Sequence, residues 1–279
     1  MDASFDRLGP AAPASPVVVS VPHAGRDYPL ALRAALAVPL GTLLPLEDRH
    51  VDRVALAART DEAVFVQRLP RAWIDLNRAE DDRDPRVDEG APAIAHAVQS
   101  AKVRSGLGLV PRRATGSGPI WRRRFPDADI AARIAQAHRP YHQALAAELA
   151  ATRAAFGIAI LVDLHSMPPI ARGARLVIGD RFGRSSAARF VARIEATGAA
   201  AGTATALNAP YAGGHILDRH ADPAAGLHAV QVELDRSLYL DARLAEPGTG
   251  LADTVALVRA LLAALRDEAL AWPLATAAE

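Results

Sequence analysis

Cysteine is absent from the 279-residue chain, which excludes disulfides, thiolate metal sites and cysteine nucleophiles. Any bound metal must therefore be held by His, Asp or Glu. Lysine is nearly absent: Lys102 stands alone, and arginine carries the remaining positive charge. With the many alanines this looks like codon bias, although a planar guanidinium also suits bidentate recognition of carboxylates. The formal net charge is only +1, so there is no global basic field to draw in nucleic acid. No apolar run approaches the length of a membrane span. The opening "MDASFDRLGPAAPASP" is polar and Pro/Ala-rich, without the apolar segment of a signal peptide. A soluble cytoplasmic protein is expected, with no nucleic-acid or membrane partner; composition says nothing about oligomeric state.

Two catalytic signatures are also missing. No Gly-x-Ser-x-Gly elbow occurs, which argues against a serine hydrolase. The glycine-rich "GLGLVPRRATGSGPIW" (106–121) lacks the Gly-Lys-Ser/Thr ending of a phosphate loop.

What is present is a chain with 51% hydrophobic residues, enough for one substantial core or two small ones. Residues 1–15 read as a flexible tail and 16–279 as a single domain. "VVVSV" (17–21), "AVFVQRL" (63–69), "AWIDL" (72–76), "IAILVDL" (158–164), "RLVIGD" (175–180) and "HAVQVELD" (228–235) read as strands. Helices are expected over 31–38, 47–60, 127–157 (interrupted at Pro140), 184–197 and 249–268. The stretch from Asn77 to about Phe125 is irregular, as a site-covering excursion would be. Strands alternating with helices predict an α/β fold with a mixed, mainly parallel sheet and helices on both faces.

In such sheets ligands bind beyond the carboxyl ends of the strands. His23 follows "VVVSVP", Asn77 and Arg78 follow "WIDL", His165 and Ser166 follow "LVDL", and Glu233 sits late in "AVQVE". An Asp two residues before a His, as in "LVDLHSM", is either a satisfied core pair or a metal ligand with its orienting carboxylate. His23 and His165 are candidate ligands for zinc or another divalent metal. "EDRHVDRV" offers a carboxylate: Asp48 by preference, with Asp52 or Glu47 as alternatives. Asn77 and Arg78 suit a substrate carboxylate, and Arg71 a developing oxyanion. Glu233, costly to bury alone, is a candidate general base, unless it simply pairs with Arg236. "NAPYAGGH" sets Gly213 and Gly214 beside Tyr211, either as a substrate loop or as a plain turn. "HRPYH" (138–142) is not a zinc helix motif and reads as structural.

Taken together, "SVPHAGRDYP", "EDRHVDRV", "WIDLNRAEDDRDP", "GLGLVPR", "PYH", "LVDLHSMP", "GDRFG", "NAPYAGGHI" and "HAVQVELDRSLYLD" resemble, in order, the N-formylglutamate amidohydrolases. The resemblance covers about residues 16–265. It implies a phosphorylase/hydrolase-like three-layer α/β sandwich, similar to zinc carboxypeptidases and aspartoacylase. It also implies zinc-dependent hydrolysis of N-formyl-L-glutamate to formate and L-glutamate, the last step of one histidine degradation route. On this resemblance His23, Asp48 and His165 are metal ligands, Asn77 and Arg78 hold the substrate α-carboxylate, and Glu233 is the base. The chain departs from the pattern at His215, where an aromatic residue is expected after the paired glycines.

Overall fold

The computed structural model describes residues 4–92, 99–170 and 173–271. In chain order the elements are β1 (Phe5–Leu8), β2 (Val17–Val21), α1 (Leu30–Ala35), α2 (Val51–Ala58), β3 (Ala63–Gln67), α3 (Ala101–Arg104), α4 (Asp127–Arg133), α5 (Arg139–Phe156), β4 (Ala159–Met167), β5 (Leu176–Gly179), α6 (Ala188–Ala200), β6 (Thr205–Leu207), α7 (His215–His220), β7 (Leu227–Asp235) and α8 (Leu251–Ala271). The strands form one mixed sheet in the order β1-β3-β2-β4-β7-β5-β6, with helices on both sides. β2 with β4, β4 with β7, and β5 with β6 are parallel; β5 with β7 is antiparallel. The α/β expectation is borne out.

Contacts gather the chain into two compact units, one from Met1–Asp6, Pro22–Arg49 and Val66–Ala144, the other from Arg7–Val21, His50–Phe65 and Leu145–Glu279. The second unit carries most of the sheet. β2, β4 and β5 are buried at every position, which is why they read as continuous apolar runs and not as alternating ones. α2, α6 and α8 pack together, and α8 buries Leu257, Val258, Leu261, Leu262 and Leu265, a stripe at helical spacing. The first unit is mostly irregular chain wrapped around its own apolar cluster, which includes Leu32, Leu43, Ile74, Leu109, Ile120 and Ile130.

Several expectations are corrected. The presumed tail contributes β1, and Arg7 grips Glu148 of α5 through two bonds of 2.8 and 3.0 Å. Residues 1–3 and 272–279 lie outside the described residues. "AWIDL" is not a strand: Trp73 N–H donates to Pro70 in a turn, Asp75 N–H donates to Leu109, and Ile74 and Leu76 bury in the core without a ladder. α2 begins at Val51, after His50 in a left-handed conformation, so Asp48 lies in the loop before the helix and not in its first turn. β4 runs on through His165 and Ser166 to Met167, so His165 is within the strand. The long helix is divided in its first half by a π-helical turn, Ile134–His138. Pro140 has no N–H for the carbonyl of Gln136, and the wider turn lies directly before it. Among the described residues no helix is long and apolar enough to cross a membrane.

Candidate active site

In the first unit the site is built around Asp75. β2 ends at Val21 and Pro22 turns the chain out, so His23 leads the following loop. The His23 carbonyl accepts the N–H of Asp48 at 3.0 Å, which ties the two segments. Gly25 is required here: a Cβ would meet the Leu69 carbonyl oxygen at 2.1 Å.

His23 Nε2 lies 2.7 Å from Asp75 Oδ1, and its Nδ1 lies 3.6 Å from Asp48 Oδ2. Asp75 is fully buried and also takes the Asn77 N–H at 2.8 Å and Arg71 Nε at 2.7 Å, with Arg78 Nη2 at 3.6 Å. Burial alone pushes the Asp75 carboxyl up, but Arg71, then Arg78 and His23, hold it well below the usual carboxylate range. An ionised carboxylate only accepts, so Nε2 of His23 donates to Asp75, and Nδ1 is the ring nitrogen on the Asp48 side. The pair of ligand atoms from His23 and Asp48 suits a divalent cation.

The other acidic candidates are differently engaged. Glu47 is bound by the Tyr28 hydroxyl and by Arg49 Nη1 at 2.8 Å. Asp52 sits in the first turn of α2. Arg71 and Arg78, read from sequence as substrate groups, both lean on Asp75. Arg78 also donates from Nε to the Leu107 carbonyl at 2.7 Å. Burial lowers its pKa, and Asp75 opposes that shift.

In the second unit the site is a polar file on one face of the sheet. Ser20 of β2, Asp163 of β4 and Gln231 of β7 are register partners, and His165 pairs with Glu233 one step further on. Residues two apart on a strand share a face, and register partners share it across strands. Five polar side chains thus line up across adjacent parallel strands, from mid-strand in β4 and β7 toward their carboxyl ends. They are bonded in two groups: Ser20 Oγ donates to Asp163 Oδ1 at 2.9 Å and His165 Nε2 lies 2.8 Å from Asp163 Oδ2, while Gln231 Nε2 donates to Glu233 Oε1 at 3.0 Å. All five are buried. Arg236, the rival partner for Glu233, donates from Nε to Ser166 Oγ at 3.1 Å, and Ser166 faces away from His165.

"NAPYAGGHI" leaves β6 through the cis peptide Ala209–Pro210 and enters α7 at His215. Tyr211, Gly213, Gly214 and His215 are half-buried. Gly213 has φ +104°, and a Cβ there would strike Leu217 Cδ2 at 2.5 Å, so only glycine fits; Gly214 has an extended backbone with φ −124°.

Sequence reasoning missed Asp75 and the role of "HRPYH". The Nε2 atoms of His138 and His142 lie 2.8 and 3.0 Å from the carbonyls of Arg78 and Leu76. The two imidazoles therefore suspend the Leu76–Arg78 segment from the π turn and α5. Their spacing of four, one helical turn, was the only signal available.

The profile of the N-formylglutamate amidohydrolase family matches residues 15–240. N-formylglutamate deformylases of Pseudomonas aeruginosa and Pseudomonas putida are each 32% identical to this chain, over 92% of it and 93% of their own length. The crystal structure of an N-formylglutamate amidohydrolase from Ralstonia eutropha superposes with a TM-score of 0.84 at 30% identity, covering 96% of this chain and 98% of that one. The chain belongs to the N-formylglutamate amidohydrolase family and is a hydrolase acting on an amide bond.

Proposed function

We propose that the protein hydrolyses N-formyl-L-glutamate to formate and L-glutamate with the help of a divalent metal, zinc in the first instance, held by His23, Asp48 and His165. The observation that carries this reading is a repeated device: each histidine is backed at Nε2 by a buried aspartate, Asp75 for His23 and Asp163 for His165. Such carboxylate–imidazole pairs orient a ligand ring and raise its basicity. The connectivity supports it as well, because His23 lies two residues beyond β2, the parallel neighbour of the strand that carries His165. Two imidazoles and one carboxylate, with no thiolate in the chain, fit zinc and leave a position open.

A metal held there supplies Lewis-acid polarisation of the formyl oxygen and makes water a stronger acid. Glu233, register partner of His165, takes the proton of the attacking water and returns it to the leaving amine nitrogen. Gln231 donates to Oε1 of Glu233 and orients the carboxylate for that exchange. Asn77 and Arg78 hold the α-carboxylate, and Arg71 stabilises charge that develops on the formyl oxygen. Tyr211 with Gly213 and Gly214 forms a wall of the substrate pocket. The two units act as one amidohydrolase domain over 16–279; the family match over 15–240 draws on segments of both. The reading includes a cytoplasmic protein acting at the last step of a histidine degradation route.

The test is metal analysis of the purified protein, together with formate release from N-formylglutamate before and after chelation. N-acetylglutamate, N-formylaspartate and N-formylmethionine run in parallel. Metal bound near one equivalent, formate release lost on chelation and restored by zinc, and preference for N-formylglutamate are expected. Metal-free protein with full activity overturns the metal centre, and preference for another acyl amino acid overturns the substrate.

A further inference from the structure

A second polar feature of the first unit takes no part in this chemistry. Ala31, Ala34 and Ala35 of α1, Trp73, Arg122, Arg123, Phe125, and residues of α4 and the π turn line an open cleft of about 480 Å³. Its size falls within the range of small-molecule pockets. Arg133 of α4 lines it and is 4% exposed. Its guanidinium carbon lies 3.9 Å from the centre of the Trp73 ring and 4.1 Å from that of Phe125, so the cation is stacked on both. Nη1 donates to the Trp73 carbonyl at 3.1 Å, while Nε has no hydrogen-bond partner. Among the described residues this guanidinium forms no ion pair within 4.0 Å, and the carboxylates of Asp129 and Asp88 act on its charge from further off. Burying a cation whose counter-charges stand off is costly, and stacking offsets only part of that cost.

We propose that this cleft is a second ligand site that binds a small organic anion, a carboxylate carried on a flat apolar body. The carboxylate meets the edge of Arg133 as a planar group meets a planar fork. Arg122 and Arg123 stand exposed at the rim and their guanidinium groups enter no ion pair among the described residues, so they draw the anion in. Asp129 is the one acidic group in the lining, set against three guanidiniums. The Trp73 ring and the three alanines accept the apolar body. Burial, the largest influence, draws the Arg133 pKa down to about 10, which leaves the group charged at neutral pH. None of the lining residues is assigned a part in the amide hydrolysis. Trp73 does lie two residues from both Arg71 and Asp75, so an occupant bears on the segment that braces His23.

The test uses the full chain and benzoate as probe, with benzamide as its neutral isostere, in calorimetric titrations and in NMR spectra of the Arg133 Nε–H and the Trp73 indole N–H. Benzoate is expected to bind at least about tenfold more tightly than benzamide, to shift both resonances, and to weaken about tenfold in Arg133→Gln, the worth of one charged hydrogen bond. The rim variant Arg122→Gln/Arg123→Gln, whose changes are exposed and safe for folding, is expected to weaken it about threefold. That variant decides the matter if Arg133→Gln does not fold. No benzoate binding at 10 mM (about the weakest affinity worth the name), equal binding of the two probes, or benzoate binding indifferent to the variants overturns the proposal.

Discussion

Asp75 holds His23 by its Nε2 at 2.7 Å and is itself held by Arg71 on its other oxygen. The carboxylate therefore orients the imidazole and at the same time serves as counter-charge to the buried Arg78 and the half-buried Arg71. Asp75→Asn is expected to lower metal affinity and kcat/KM by about 10–100-fold, as loss of a carboxylate behind a metal-bound histidine does. Leaving Arg78 without its counter-charge should also cost about 3–5 kcal/mol of stability. Metal titration, kinetics and urea unfolding of the same variant read the three effects separately. A variant with wild-type metal affinity would remove Asp75 from the site.

Glu233→Gln keeps the shape of the side chain and its neighbour Gln231 but removes the base. The expected loss in kcat is about 10²–10⁴-fold, with metal content and melting temperature unchanged. Wild-type turnover would assign the proton transfer elsewhere.

Gly25 tests the backbone beneath His23. Its Cα approaches the Leu69 carbonyl so closely that Gly25→Ala must push apart the loop after β2 and the chain after β3. Destabilisation of about 1–3 kcal/mol is expected, along with a loss of activity larger than at a glycine with open space beside it. Gly41→Ala, with nothing within 4 Å, is the control.

His228 is one source of acid sensitivity, beside His220, whose pKa burial also lowers to about 4. Burial first, then Arg189, lowers the His228 pKa to about 4. Its Nδ1 accepts the Ala187 N–H at 3.3 Å, a bond that protonation of that nitrogen breaks. The unfolded chain binds this proton near pH 6.5, so it is the more protonated state between about 6.5 and 4, and stability falls as pH falls through that window. Urea midpoints at pH 7 and pH 5 should differ less in His228→Gln than in the wild type.

The sheet was legible in the sequence because its central strands are buried on both faces and written in β-branched and aliphatic residues. "AWIDL" was misread for the same reason: Ile74 and Leu76 are as buried as strand residues, and a short apolar run reports burial, not conformation. Asp75 sat in that run as conspicuously as Glu233 does in its own, but its partners lie four residues back at Arg71 and fifty-two back at His23, and no local pattern announces the second. The Asp163–His165 pair was readable because two-residue spacing on a strand guarantees a common face. The edge strand at Phe5–Leu8 was not, since its half-buried, charge-bearing residues look like those of an unstructured terminus.

The widened turn at Ile134–His138 sets a phase. Each residue of an α-helix advances the chain by about 100°, so the residue accommodated there offsets the angular position of α4 from that of α5 by the same amount. Excising one residue from the turn would rejoin the two as a plain α-helix and swing Arg133 about 100° around the axis relative to His138 and His142. Two jobs done by one rod, capturing an aromatic-stacked cation upstream and hanging a loop by its carbonyls downstream, are compatible only with that offset in place.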